Sequence, residues 1–222
     1  MIAGVLLAAG ASRRMGRDKA LVRTGRESFL VRGVRNLWGA CDSVVVVLGA
    51  NAATIRRQAE AEFEALVESG GLNQELGAAH QHGAAGLEAH FVVNARWKRG
   101  MLESARAGLR DALALGPACV MVLPVDHPKV RPLTVASLAH VVLQAIAACR
   151  PKDRAAFSYA LIPRHRRRRG HPVVLSPALA SAIVADTGAA DLSDAIKRNA
   201  RLVGYLDVAD AGVAVNRNTP AA

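Results

Sequence analysis

A run of small residues, glycines and cations follows directly after an apolar segment at the start of the chain. The apolar segment, Ile2 to Leu7, is predicted to form a strand, and the run continues from Leu7 to Lys19 as Leu-Ala-Ala-Gly-Ala-Ser-Arg-Arg-Met-Gly-Arg-Asp-Lys. Small residues let the backbone approach a ligand closely, and successive N–H groups of such a turn point at one place. Arginine and lysine add the charge that phosphate oxygens attract. The run predicts a cradle for a phosphorylated ligand, with a solvated surface turn as the alternative.

The two best-known phosphate-binding loops do not fit this run. A P-loop has four residues between its glycines and then Lys-Ser/Thr, whereas five residues separate Gly10 from Gly16 and Arg-Asp follows. The dinucleotide-binding fingerprint begins with Gly-x-Gly, which Gly10-Ala11-Ser12 lacks.

A carboxylate stands just beyond a second apolar run. Cys119 to Leu123 is predicted to be a buried strand, and Asp126 follows it within Pro-Val-Asp-His-Pro. Ligands of open α/β sheets bind beyond the carboxyl ends of the strands, so we expect Asp126 to lie near the loop at Gly10. A carboxylate beside a triphosphate is a natural Mg²⁺ ligand, because this hard ion prefers oxygen donors and keeps several positions for phosphates and water.

Other polar residues stand where such a site could use them. Asn51 follows a predicted strand and is a candidate to reach a ligand beyond it, while Ser104 stands in the first turn of a predicted helix, where a serine is an ordinary cap. Five of the six residues 164–169 are arginine, and Gly170-His171-Pro172 follows. A basic run of this kind is either solvated or faces an anion such as a nucleic acid.

Strands and helices alternate along the chain. This pattern predicts a three-layer α/β/α sandwich with a mostly parallel, Rossmann-like sheet. Residues 69–88 show no clear period and are predicted to be a surface insertion or an extended helix end. The predicted strands are 2–7, 43–48, 90–93, 119–123, 155–162, 173–175 and 202–208. The predicted helices are 28–38, 52–67, 102–115, 133–149, 177–185 and 192–199.

Composition limits the class of protein. With 222 residues, 51% of them hydrophobic and 4% aromatic, one large α/β domain is the natural expectation. The formal net charge of +11 indicates an anionic partner, which a nucleotide, a phosphorylated metabolite or a nucleic acid would satisfy. Cys41, Cys119 and Cys149 are widely spaced and predict core residues of a reducing compartment. No membrane span is expected, so the prediction is a soluble cytoplasmic protein.

Taken together, these motifs resemble those of the MobA-like nucleotidyltransferases. Residues 7–19 meet every fixed position of the family signature L-A-A-G-x-S-x-R-M-G-x-x-K, and Asp126 stands in its L-x-x-D-x-P metal motif. Residues 100–109 resemble its G-x-x-x-S-x-x-x-G-L helix start. Residues 215–220 resemble its closing N/D-x-N/D-T-P motif.

One branch of the family, the molybdopterin cytidylyltransferases, shares a further motif. Arg169 to Leu175 resembles its R-G-H-P-V-x-L segment, which borders the acceptor pocket in that branch. The later Asp186 to Ala190 resembles its D-x-G-A-R segment, but Ala190 replaces the arginine. The resemblance therefore leaves the acceptor open.

The resemblance implies a nucleotidyltransferase that uses Mg²⁺, with Mn²⁺ as a substitute, to transfer NMP from an NTP to a phosphorylated acceptor with release of pyrophosphate. It implies CTP and molybdopterin as the substrates, and a transient contact with a molybdoenzyme or its chaperone. Residues 1–222 would form one domain, with an NTP-binding half to about residue 125 and an acceptor-binding half from about residue 126.

The resemblance also implies a role for each matching residue. Arg14, Lys19 and Asp126 would be catalytic, and Asp126 and Asn218 would bind the metal. The nucleotide would contact Leu7, Ala8, Ala9, Gly10, Ala11, Ser12, Arg13, Gly16, Asn51, Gly100 and Ser104. The acceptor would contact Arg169, Gly170, His171 and Pro172.

Three alternatives stay open. The chain could transfer GMP to molybdenum cofactor, or a nucleotide to a sugar or polyol phosphate. It could also be a nucleic-acid-binding protein on an inactive transferase fold. The near absence of aromatic residues beside the arginines argues against this last reading, because single-stranded nucleic acid is usually bound by stacking.

Overall fold

The computed structural model describes residues 1–11, 18–69, 88–150 and 156–217. The strands in these ranges are β1 (Ile2–Ala8), β2 (Arg23–Thr24), β3 (Glu27–Ser28), β4 (Ser43–Leu48), β5 (Glu88–Val93), β6 (Cys119–Pro124), β7 (Tyr159–His165), β8 (Arg168–Arg169), β9 (Val173–Leu175) and β10 (Leu202–Asp207). The α-helices are α1 (Phe29–Leu37), α2 (Ala52–Glu68), α3 (Met101–Ala114), α4 (Pro132–Ala148), α5 (Pro177–Ala185) and α6 (Leu192–Asn199). Short 3₁₀ turns occupy Lys19–Leu21, Trp97–Arg99 and Ala211–Ala214.

One central sheet runs in the order β10-β7-β9-β6-β1-β4-β5, and β8 pairs with β7 at its side. Neighbouring strands are parallel except at β9, which runs antiparallel to both β6 and β7, and at β8. The chain adds β4 and β5 on one side of β1 and then crosses to β6 on the other side. Strand order thus reverses between β1 and β6, which is the position where ligands of open α/β sheets bind.

Two apolar layers cover the two faces of the sheet. Successive residues of β1 point to opposite faces, so that Leu6 packs with α1 and α4 while Val5 packs with α3, α5 and α6. All seven residues of β1 are buried, as expected for a central parallel strand. The predicted three-layer, mostly parallel architecture is therefore confirmed. Within the described ranges, no helix is both long and apolar enough to cross a membrane.

Helix α3 lies unusually close to the sheet. A Cβ atom at Gly108 would overlap the side chains of Val5 and Val47, so only glycine allows this approach. The close packing fixes the start of α3 at the edge where β1 and β4 end.

The basic run forms a hairpin, which the sequence analysis did not foresee. A strand was predicted over 155–162, whereas β7 begins at Tyr159 and continues into the run as far as His165. Residue 155 lies outside the described part of the chain. The extension comes from backbone pairing with β10, where Arg164 aligns with Asp207, and not from apolar side chains. Arg166 and Arg167 then form the turn with φ of 48° and 67°.

Candidate active site

A cavity of about 470 Å³ lies where β1 and β6 end. Leu7–Ala11, at the end of β1, form one wall, and Pro124–Asp126, at the end of β6, form the next. These walls are adjacent because Leu7 aligns with Pro124 across the parallel strands. The remaining lining includes Lys19, Ala20, Trp97, Lys98, Gly100, Met101 and Ser104.

The first described residues of the Leu7–Lys19 segment, here called the glycine run, thus enter the cavity from the end of β1. Its predicted ligand contacts Leu7, Ala8, Ala9, Gly10 and Ala11 all line the cavity. Four further predicted residues, Ser12, Arg13, Arg14 and Gly16, lie outside the described part of the chain.

Lys19 and Asp126 face each other inside this cavity. Lys19 Nζ lies 3.6 Å from the Asp126 carboxylate (Oδ2), and each side chain is 20% exposed. Partial burial lowers the effective dielectric constant around the pair and strengthens its interaction relative to a pair in open water. An entering ligand therefore meets a cation and a carboxylate side by side. Both residues were predicted to be catalytic.

Asp126 is the residue best placed to hold a divalent metal. Mg²⁺ is usually bound through one or two carboxylates together with substrate phosphates, rather than by a cage of protein ligands. Among the residues that the structure describes, no three His, Cys, Asp or Glu side chains are grouped to hold a metal ion. The partly buried carboxylate of Asp126, which has no grouped carboxylate partner among the described residues, therefore fits an ion that is held largely by a phosphorylated ligand.

The C-terminal tail reaches Asp126 through its backbone. The Arg217 N–H donates a hydrogen bond of 2.8 Å to the Asp126 carbonyl. Asn218, the second predicted metal ligand, is the next residue along and lies outside the described residues. The tail therefore approaches the predicted metal position up to Arg217.

The start of α3 forms the wall opposite Asp126. Gly100 has φ of 113°, a backbone conformation that L side chains rarely adopt, and it directly precedes the helix. Gly100, Met101 and Ser104 line the cavity, so the N-terminal turn of α3, where the helix dipole favours an anion, borders it. Ser104 also lines the cavity, and its Oγ accepts a hydrogen bond of 3.1 Å from buried Asn94. Gly100 and Ser104 were predicted, whereas Asn94 was missed although it directly follows β5.

Asn51 does not belong to the described lining of this cavity. Its side-chain amide donates to the Asp18 carboxylate at 3.1 Å, and its backbone has φ of 54° at the start of α2. The residue is exposed and holds Asp18, the neighbour of Lys19, and its contact with a base stays a prediction.

Trp97 and Lys98 were also missed by the sequence analysis, although both line the cavity. They follow β5 and precede Gly100, so a signal was available: loops at the carboxyl ends of parallel strands carry ligand-binding residues. Trp97 is half-buried, and the Lys98 ammonium lies 5.7 Å from the centroid of its ring.

A second cavity, of about 430 Å³, adjoins the first. Met101 lines both, and three of the predicted acceptor residues, Arg169, Gly170 and His171, line the second. Pro172 follows them into β9. Because β9 runs antiparallel to β6, the residues that precede β9 lie at the same edge of the sheet as Asp126.

The second cavity combines basic groups with apolar walls. Arg169 and Lys197 line it together with Tyr205, and the Arg169 guanidinium lies 5.3 Å from the Tyr205 ring centroid. Asp191, also in the lining, is occupied as the cap of α6, where its carboxylate accepts from the Asp194 N–H at 2.8 Å. Apolar surface is supplied by Met101, Ile162, Val173, Leu192, Ile196 and Val203. The cavity suits a ligand with a flat apolar part and an anionic group.

Buried His127 and half-buried His171 connect Asp126 of the first cavity with the lining of the second. The His127 and His171 rings meet edge to face, with centroids 4.9 Å apart, and His127 Nε2 lies 3.8 Å from Asp126 Oδ1. Burial and, to a smaller extent, the neighbouring His127 together lower the pKa of His171 to about 4, although a hydrogen bond with the Val122 backbone opposes the shift. Burial also lowers the pKa of His127, while the Asp126 charge opposes this shift. The His171 ring is therefore neutral at pH 7, and burial favours the neutral form of His127. Among the described residues, neither Nδ1 atom has a hydrogen-bond partner.

The tip of the basic hairpin lies outside both cavities. Arg166, Arg167 and Arg168 are exposed and do not belong to either lining. Arg164 is held by Asp207, with a shortest distance of 2.8 Å between guanidinium and carboxylate. Of the five arginines in the run, only Arg169 lines a described cavity.

Comparison with protein families gives one match, over residues 4–202, to the family described as "MobA-like NTP transferase domain". A relative along nearly the whole chain is a protein of Paenarthrobacter nicotinovorans named "Nicotine blue oxidoreductase". It is 32% identical over 216 residues, which cover 94% of this chain and 88% of the relative. A shorter match, 52% identical over 42 residues, covers 19% of this chain and 22% of the "Probable molybdenum cofactor guanylyltransferase" of Synechococcus elongatus.

Among solved structures, the fold is similar to that of Rv0371c from Mycobacterium tuberculosis. The TM-score is 0.63 at 21% sequence identity, with 98% of this chain and 92% of that chain covered. A second structure of Rv0371c is described as a complex with manganese and has a TM-score of 0.54 at 20% identity, covering 93% of this chain and 88% of that chain. At these identities the likeness concerns the fold.

Proposed function

Because the chain belongs to the MobA-like NTP transferase family, we propose that it transfers NMP from an NTP to a phosphorylated acceptor with release of pyrophosphate. The observation that carries this proposal is the pairing of Lys19 with Asp126 in the cavity that the glycine run enters. A cation for the phosphates and a carboxylate for their metal ion then lie at the strand-order reversal where this fold binds ligands.

The reaction needs no nucleophile from the protein. An oxygen of the acceptor phosphate attacks the α-phosphorus of the NTP, and the bond from that phosphorus to the β-phosphate oxygen breaks. Pyrophosphate leaves with the electron pair. Catalysis of this kind depends mostly on positioning and on neutralising charge.

Each described part of the first cavity has a task in this scheme. The N–H groups after β1 and at the start of α3 would bind phosphate oxygens, and Lys19 would stabilise the leaving pyrophosphate. Asp126 would anchor Mg²⁺, or Mn²⁺ in its place, and this ion would neutralise phosphate charge. Arg14 would add a further cation and Asn218 a further metal contact, as the family motifs imply.

The second cavity is the proposed acceptor site. Arg169, His171 and Lys197 would bind the terminal phosphate, and the apolar walls would accept a flat ring system. Molybdopterin has both parts, and the Arg169–Leu175 motif favours it together with CTP. GTP is the alternative nucleotide, because the short Synechococcus match is named a guanylyltransferase. A sugar or polyol phosphate is the alternative acceptor.

A second candidate function follows from the Paenarthrobacter relative. Its name describes an oxidoreductase, and it matches 94% of this chain at 32% identity. The first cavity would then hold a redox nucleotide. The groups that bind phosphate oxygens would suit an NTP and a redox nucleotide alike. Asp126 distinguishes the two candidates, because transfer from an NTP with Mg²⁺ would use its carboxylate and an oxidoreductase would not require it.

One experiment separates the two. Pyrophosphate release is measured with CTP, GTP, ATP or UTP and Mg²⁺, with molybdopterin as the acceptor, beside oxidation of NADH or NADPH by an artificial dye. We expect release of pyrophosphate that depends on both the acceptor and the metal, with CTP preferred. NAD(P)H oxidation without any pyrophosphate release would replace the transferase proposal with the oxidoreductase.

A further inference from the structure

The first cavity extends along the edge of the sheet. Asp126 follows β6, Gly10 follows β1 and Gly49 follows β4, and these strands are neighbours in this order. Trp97 lies directly against Gly49, where an added Cβ would overlap the Trp97 side chain. At the usual strand spacing, two intervals separate Trp97 from Asp126 by about 10 Å. The aromatic ring therefore lies far from the metal-binding end of the cavity.

Trp97 is held in place by backbone contacts on both sides. Its N–H donates to the Asn94 carbonyl and its carbonyl accepts from the Gly100 N–H, each at 3.2 Å. Its partly buried side chain packs against the apolar cluster under α3. A ring fixed in this way can receive a flat ligand with little loss of side-chain freedom on binding.

We propose that Trp97 stacks on the nucleobase of the nucleotide bound in this cavity. This inference rests on the proposed function, because it takes the phosphates to lie at Lys19 and Asp126. Of the described residues that line the cavity, Trp97 alone is aromatic. Stacking on an aromatic side chain strengthens nucleotide binding by about tenfold or more, and every base offers a face for it.

Stacking on Trp97 would strengthen nucleotide binding without selecting a particular base. A stacked ring contributes affinity for any nucleotide over inorganic phosphates, but it distinguishes bases weakly. Selection of one base then depends on hydrogen bonds to the base edge. Trp97 therefore sets nucleotide affinity and leaves base choice to other groups.

Isothermal titration with two ligands tests the proposal. CTP and inorganic tripolyphosphate, each with excess Mg²⁺, are titrated into the full chain and into Trp97→Ala, Trp97→Phe and Val93→Ala. Val93 is 61% exposed at the end of β5 and outside the cavity lining, so it serves as the matched control. We expect Trp97→Ala to weaken CTP binding about tenfold and to leave tripolyphosphate binding unchanged. Trp97→Phe should retain most of the affinity.

Fluorescence gives an independent readout. The chain has two tryptophans, and Trp38 is buried at 4% exposure in the core. CTP should quench the emission of the wild-type chain and leave that of Trp97→Phe, which reports Trp38 alone, unchanged.

The outcomes are distinguishable. Equal weakening of CTP and tripolyphosphate in Trp97→Ala, or no change in either, would overturn the stacking role while the proposed function stands. Failure of the wild-type chain to bind CTP and tripolyphosphate would overturn the proposed function and the stacking role together.

Discussion

The imidazole of His127 meets that of His171 edge to face, 4.9 Å between centroids, although the two residues come from different parts of the chain. His127 follows Asp126 of the first cavity, and His171 lines the second. The contact exists because β9 is antiparallel and starts where β6 ends. The pair therefore connects Asp126 of the first cavity, through His127, with His171 in the lining of the second.

Removal of the Asp126 charge should stop transfer without unfolding the chain. We expect Asp126→Asn to lower the rate of pyrophosphate release at least about 100-fold, because the metal would lose its carboxylate anchor. The melting temperature should change little, since a partly exposed ion pair contributes about 1 kcal/mol or less. Thermal melts measure the melting temperature, and a pyrophosphate assay over a Mg²⁺ titration measures the transfer rate. Full activity in the variant would exclude Asp126 from the mechanism.

Lys19→Ala should act on the phosphate end of the same cavity. Loss of the cation should weaken NTP and pyrophosphate binding and lower the transfer rate, because the charge on the leaving group would be stabilised less. Lys129→Ala is the matched control, since Lys129 is exposed and outside the described lining. Similar kinetics for the two variants would refute a specific role for Lys19.

Arg169→Ala should affect the acceptor alone. Arg169 lines the second cavity, so we expect the KM for the acceptor to rise about tenfold while the KM for the NTP stays the same. Adjacent residues of a strand point to opposite faces, and exposed Arg168 is outside the described lining, which makes Arg168→Ala the natural comparison. A rise in the KM for the NTP would argue against an acceptor site here.

Folding stability should fall as the pH is lowered from about 6.5 to about 4. The folded-state pKa of His171 is lowered to about 4, so in this window the unfolded chain binds the proton more readily than the folded chain. The loss attributable to His171 is up to about 3 kcal/mol, and it is complete below the folded pKa. His127 titrates in the same direction beside it and adds to the effect.

Urea unfolding at pH 7 and pH 5 measures this dependence. His171→Phe, which keeps a flat ring but cannot titrate, should show a smaller difference between the two pH values than the wild-type chain. His140→Gln, at an exposed position on α4, serves as the control. An unchanged difference in His171→Phe would refute the assignment.

The hairpin turn at Arg166 and Arg167 offers a stability test away from both cavities. Both residues have positive φ, which favours Asn-Gly in two-residue hairpins and costs a bulky L residue about 1 kcal/mol. The double variant Arg166→Asn, Arg167→Gly should raise the free energy of unfolding by about 1 kcal/mol. Chemical denaturation measures this free energy. A lower free energy of unfolding in the double variant would contradict the expectation that the two arginines strain the turn.

Local and periodic features of the fold could be predicted from the sequence. The predicted helix 28–38 begins at Ser28, which caps α1: its Oγ accepts from the Val31 N–H at 3.2 Å. The apolar runs at 43–48 and 119–123 correspond to β4 and β6. Gly10 follows the predicted strand 2–7 and Asp126 the predicted strand 119–123. These positions at strand ends predicted that the two residues lie near each other, and both line the first cavity.

Features that depend on long-range placement could not be predicted. The strand character of Arg164 and Arg168 arises from backbone pairing across the sheet, which side-chain type does not signal. Buried Glu27 forms an ion pair with Arg35 of α1, and nothing in their local sequence indicates that both are buried. The close packing of Trp97 against Gly49, a residue from another loop, likewise has no signal in the local sequence.

The three-residue strand β9 has an evolutionary consequence. It joins the parallel strands that end at the first cavity to the β7–β10 pair, which lines the second cavity together with α6. Since this connection is short, substitutions on the far side of β9 should alter the second cavity with little effect on the first, so the two cavities can diverge separately within one fold.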